Sequence, residues 1–100
     1  MATNLQLSAS VSGGTLNINF FRTDDNVLLD SLSLSDGNPA GQLDTPLEDG
    51  KNYSIIYNVK AKKEGCVYKF DVTSPAPAQA HIVLTLHKGD TDFNAIPFHT

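Results

Sequence analysis

His81 and His87 are the first residues in this chain whose type and spacing suggest chemistry, as a metal-binding pair sharing one strand face. Six extended residues separate them by about 20 Å at ~3.3 Å per residue. Zinc ligands lie ~2.0–2.1 Å from the ion, so the pair reads as two surface histidines. His99 sits near the end of the sequence without an evident partner. Cys66, the single cysteine, shares its parity with Tyr68, Phe70 and Val72, which fits a small buried residue better than a reactive thiolate. No general base is nominated for it. There is no Gly-x-Ser-x-Gly elbow, no HExxH and no phosphate loop. The expectation is a non-enzyme with no cofactor and no metal.

Acidic residues recur in turns: Asp24-Asp25-Asn26, Asp36-Gly37-Asn38, Glu48-Asp49-Gly50 and Asp90-Thr91-Asp92. Adjacent loops of this kind can hold calcium, which takes 6–8 oxygen ligands. None has EF-hand spacing, and Asp and Asn also start turns without any ion. A carbohydrate site would want exposed aromatic rings. Trp is absent, and Tyr53, Tyr57, Tyr68, Phe20 and Phe70 all have core parity. A calcium- or carbohydrate-binding module using residues 35–50 is therefore the second reading. Asn52-Tyr53-Ser54 fits a glycosylation sequon, but no secretory signal accompanies it.

The elements that would position these residues are strands. Leu5, Leu7, Ala9 and Val11 alternate with polar residues, as do Leu16, Ile18 and Phe20. Val27 to Leu34 continues the pattern, but Leu29 opposes Leu28, Leu32 and Leu34, which predicts a bulge near Asp30 or a short helical turn. Residues 42–47 suggest an edge strand. Tyr53, Ile55, Tyr57 and Val59 share one face of the next strand, followed by Cys66 to Val72, Ala80 to Leu86 and Phe93 to Phe98. Ser12-Gly13-Gly14 and Lys62-Lys63-Glu64-Gly65 carry hairpin signals. Thr73 to Ala78, with two prolines, predicts an extended polyproline-like crossover. The fold class expected is all-β, a single antiparallel β-sandwich of about seven short strands over residues 1–100.

The 100 residues have a charged fraction of 18%, below the usual ~25%, and Ser, Thr, Asn, Asp and Gly fill the difference. The net charge of -4 argues against nucleic acid and against an anionic membrane as ligands, since either would require many phosphate-neutralising cations. Its distribution is uneven. Residues 1–50 hold seven acidic residues and one basic residue, Arg22, for a net of -6; residues 51–100 hold six Lys and four acids, for +2. If the halves occupy different faces, the domain carries a charge dipole suited to stacking. The N-terminus lacks a basic n-region and an apolar h-region, so cytoplasmic synthesis without a signal peptide is expected. No apolar stretch approaches the ~20 residues of a membrane span.

The segment Val27 to Val59 resembles the core of transthyretin-like and carboxypeptidase-regulatory-like sandwich modules, including the B-type repeats of bacterial adhesins. The shared features are Asp36-Gly37 in a loop, then Leu47, Gly50 and Tyr53 in a Leu-x-x-Gly-x-x-Tyr element. The resemblance implies an immunoglobulin-like or transthyretin-like sandwich with an accessory or structural role. The B-type repeats often form an internal isopeptide from a first-strand Lys. This sequence has no Lys before Lys51, so that crosslink is not carried over.

Outward parity leaves Phe21, Ile56 and Val83 as apolar residues for contact with another protein. Phe93, Ile96 and Phe98 must also be buried, in the home sandwich or as a strand or arm over residues 92–100 given to a neighbour. These six are the interface candidates. The function they imply is structural or assembly work through protein–protein contact, by self-association or within a larger viral, phage-like or bacterial surface particle.

Overall fold

The computed structural model describes residues 3–100. Eight strands alternate with turns: β1 (Thr3–Ser12), β2 (Gly14–Arg22), β3 (Val27–Leu34), β4 (Ala40–Leu47), β5 (Asn52–Ala61), β6 (Cys66–Ser74), β7 (Ala80–Leu86) and β8 (Thr91–His99). They form two four-stranded sheets, ordered β4-β1-β6-β7 and β3-β2-β5-β8, with every pairing antiparallel. The sheets face each other as a β-sandwich. Alternation along the strands decides the two sides: Leu5, Leu7, Ala9 and Val11 from β1 meet Leu16, Ile18 and Phe20 from β2 in one core.

Two expected hairpins are absent, because the turns concerned carry the chain from one sheet to the other. β1 and β2 lie in different sheets, and so do β5 and β6. The Ser12-Gly13-Gly14 and Lys62–Gly65 turns are instead corners that lock together. The N–H groups of Lys62 and Lys63 both donate to the Gly13 carbonyl, each at 2.9 Å. Gly13 has a positive φ of 84°, and a Cβ on Gly14 would sit 2.2 Å from the Lys60 carbonyl oxygen and 2.9 Å from Cys66 Sγ. Only glycine lets the two corners approach so closely. The true hairpins are β2–β3 and β6–β7, where consecutive strands pair.

The predicted bulge is present. β2 residues Phe20 and Phe21 pair with Asp30 and Leu28, so Leu29 is the extra residue. It packs against the core, while Leu28 turns outward. Residues 76–78 depart from the polyproline expectation by closing a 3-10 turn, with Ala78 N–H donating to Pro75 O at 3.0 Å. The proline-fixed φ suits either conformation; burial of the Ala78 methyl favours the turn.

Two aromatic groups fill the core. Phe20, Tyr53 and Phe98 stack across β2, β5 and β8 with centroids 5.4–6.1 Å apart. Tyr57 meets Phe70 across the sheets at 4.8 Å. The Leu47–Tyr53 segment is another corner between sheets. Leu47 and Tyr53 are both buried, and the Glu48 N–H donates to the Tyr53 hydroxyl at 2.8 Å. β8 pairs with β5 along its whole length, and Phe98 is only 7% exposed. Residues 92–100 are thus part of the home sandwich.

Replacing Gly14 with Ala forces a methyl into the Lys60 carbonyl, so destabilisation of about 3 kcal/mol is expected, at the upper end for overpacking. Urea unfolding of the Gly14→Ala chain measures it. A loss under half a kcal/mol would show that the corners do not constrain the fold.

Candidate interaction surface

The residues that suggested chemistry are kept apart. His81 Nδ1 lies 3.7 Å from Asp71 on β6, His87 Nδ1 lies 2.5 Å from Glu64, and His99 Nδ1 lies 2.9 Å from Asn52 Oδ1. Cys66 is fully buried beside Gly14, and burial, with a smaller effect of Asp36, pushes its thiol pKa up. Three of the turn carboxylates, Asp24, Asp25 and Asp36, tie their turns to neighbouring residues. Asp24 accepts from the backbone and side-chain N–H groups of Asn52 at 2.9 and 3.0 Å, which holds its pKa below the usual carboxylate range. Asp25 accepts both hydrogen bonds of the Arg22 guanidinium, each at 2.8 Å, and is lowered in turn. Asp36 accepts from Gly13 N–H at 2.8 Å. Among the described residues, no group of three or more His, Cys, Asp or Glu is placed to hold a metal ion. Among the described residues, no helix is long and apolar enough to cross a membrane.

The charge asymmetry has a structural counterpart. β1 to β4 form one lateral half of both sheets, and β5 to β8 form the other. The acidic first half of the sequence and the lysine-bearing second half therefore lie on opposite flanks of the sandwich, not on opposite sheets.

The surface that stands out is the outer face of the β3-β2-β5-β8 sheet. Phe21 is paired with Leu28 on one side and Ser54 on the other, and Ser54 with Pro97. Ile56 is paired with Ala95, and Phe93 stands beside Asn58. These register positions place Phe21, Leu28, Ile56, Phe93, Ala95 and Pro97 on one face. Leu28 is 52% exposed and Phe93 69%. The neighbouring outward positions are mostly Ser, Thr and Asn; Lys60 on β5 is the one charged side chain at the strand positions of this face. A cluster of exposed apolar side chains of this kind marks a contact surface in the general case.

Three sequence candidates, Phe21, Ile56 and Phe93, lie on this face. Ile96 and Phe98 do not, because their parity on β8 turns them inward: Ile96 packs against the core and Phe98 joins the aromatic stack. Val83, 48% exposed, lies on the outer face of the other sheet at its β7 edge. Sequence reasoning missed Leu28, whose outward turn depends on the bulge, and Ala95 and Pro97, whose place depends on the β5–β8 register. No protein-family model matches the chain, and no curated protein and no solved structure matches it.

The Glu64–His87 pair also predicts a titration. Its short contact raises the His87 pKa above 6.5 and lowers that of Glu64 below 4.5, the side-chain hydrogen bond being the main cause of each shift. A raised His stabilises fully below its unfolded pKa and loses that as pH rises through its folded one; a lowered Glu stabilises above its unfolded pKa and loses that as pH falls through its folded one. The contact is therefore complete between about pH 4.5 and 6.5. An NMR titration of the His87 ring should give a midpoint above the ordinary value, and Glu64→Gln should lower that midpoint, leaving the smaller upward effect of Asp90.

Proposed function

We propose that this chain is a non-enzymatic structural or assembly module that works through protein–protein contact at the outer face of the β3-β2-β5-β8 sheet. The observation that carries the reading is the patch of Phe21, Leu28, Ile56, Phe93, Ala95 and Pro97 on an almost uncharged sheet face. Burial of this area supplies the affinity, at roughly 25 cal/mol per Å² before the costs of association. The acidic and lysine-bearing flanks supply orientation, favouring a neighbour whose opposite charge lies over each flank. A role as an accessory sandwich module, within a surface or particle assembly, is consistent with the resemblance of residues 27–59. The braced turn carboxylates do not favour the calcium reading, and the core positions of Tyr53, Tyr57 and Tyr68 withdraw all three tyrosines from any sugar platform.

Size-exclusion chromatography with light scattering tests the proposal on the full chain. The substitutions are Phe21→Ser and Phe93→Ser, which alter the patch while leaving the core stack intact. Self-association or capture by a partner should weaken about tenfold or more, equivalent to ~1.4 kcal/mol. Association unchanged by both substitutions would overturn this face as the contact.

A further inference from the structure

A sandwich with two open sheets has four edge strands, and three of them carry a feature that discourages another strand from adding. β3 has the Leu29 bulge, and Asp30 has inward parity, its Oδ1 accepting the Ser31 N–H at 2.9 Å. β4 contains Pro46, which has no N–H to offer. β8 contains Pro97, carries Asp92 at an inward position, and has its Ala95 N–H taken up by Asn94 Oδ1 at 2.8 Å. β7 has none of these. Its seven residues, Ala-His-Ile-Val-Leu-Thr-Leu from Ala80 to Leu86, include no proline, no glycine and no Asp, Glu, Lys or Arg. The register with β6 is unbroken from Cys66↔Leu86 to Val72↔Ala80.

The apolar interior is also unfinished at this edge. Ala80, Ile82, Leu84 and Leu86 have the parity of the core, since they stand opposite Val72, Phe70, Tyr68 and Cys66. Yet Leu84 is 44% exposed, and Ile82 and Leu86 are only partly buried. On β8, in the facing sheet, the nearby inward positions are the polar Asp92 and Asn94, with the Tyr68 hydroxyl donating to Asp92. An added strand would thus gain backbone hydrogen bonds and would have to present apolar residues at alternate positions on the inner side.

We propose that a second copy of this chain supplies that strand, through antiparallel pairing of β7 with β7 about a two-fold axis at Val83. Val83 is the midpoint of the strand, so this register uses all seven residues. Each copy sets Ile82 opposite the partner's Leu84, and Ala80 opposite the partner's Leu86. Inner side chains meet inner ones, and His81 faces Thr85 of the partner subunit. No formally charged strand residue meets its own like, so the edge is complementary to itself. The two β4-β1-β6-β7 sheets then become one eight-stranded sheet. This deepens the assembly reading by naming a partner, and it uses an edge remote from the Phe93 patch.

The test uses Val83→Lys and Val83→Glu, which alter an outward side chain and leave the core untouched. Across the micromolar range, light scattering should find the unsubstituted chain dimeric and each variant alone monomeric, because the axis sets like charges opposite each other. Mixing the two variants should restore a dimer, an outcome that misfolding cannot produce. Amide exchange should show alternate β7 N–H groups protected in the dimer and exposed in either variant. A monomeric unsubstituted chain overturns the proposal. So does a dimer that survives both substitutions, or open assemblies that Val83→Lys leaves intact. If Phe93→Ser dissociates the dimer and the Val83 variants do not, the self-contact belongs to the outer face and the edge proposal is overturned; the reverse result assigns the dimer to the edge and leaves the outer face for a different protein.

Discussion

The close approach of Gly14 to the Lys60 carbonyl sets the shape of the whole sandwich. At that point the chain leaves one sheet for the other while the β5–β6 connection does the same beside it. Gly13 O accepts from both Lys62 and Lys63, so each corner completes the backbone hydrogen bonding of the other. Asp36 adds a third connection through the Gly13 N–H, and Glu64 a fourth, accepting from the Lys88 N–H at 3.1 Å. One end of the molecule is therefore a mesh of sheet-switching turns. The opposite end is held differently, by the Tyr53 hydroxyl on Glu48, by the Arg22–Asp25 pair and by the hydrogen bonds of Asp24 to Asn52.

With both ends fixed, the sheets can present two surfaces of different chemistry. The outer face of β3-β2-β5-β8 carries a cluster of apolar side chains, and a contact made there would be made through them. The β7 edge offers backbone groups instead, with side chains that only choose the register. An outer-face partner needs shape and hydrophobic complementarity, whereas an edge partner needs an extended segment of matching parity. The charged flanks can orient a neighbour on the outer face, but they contribute little to β7, which has no Asp, Glu, Lys or Arg of its own.

Much of this was legible in the sequence, and the rest was not for identifiable reasons. Period-two alternation assigned Tyr53, Tyr57, Tyr68, Phe20 and Phe70 to the core because strand parity is a local property. The clash between Leu28 and Leu29 parity pointed to the bulge for the same reason. The corner at Gly13-Gly14 was read as a hairpin because a Gly-Gly turn looks the same in both settings. What separates them is the contact with Lys60, 46 positions along the chain. The outer face was half visible. Phe21 and Ile56 follow from their own strands, but Leu28, Ala95 and Pro97 join them only once the bulge and the β5–β8 register are known. Strand order likewise turned an acidic half of the sequence into an acidic flank.

The same corners also govern the order in which the fold can assemble. β1 lies in the middle of its sheet, yet its neighbours are β4 and β6: Leu5 faces Thr45, and Leu7 faces Val72. Closing such long loops has an entropic cost that must be met before the contacts form. Within the first fifty residues the one pairing of consecutive strands is the β2–β3 hairpin, joined across Arg22 and Val27. A growing chain would therefore carry β1 as an unpaired ribbon with one apolar face until residues 40–47 arrive, and would complete its surroundings only with residues 66–74. The strand that comes first in the sequence is among the last to be enclosed.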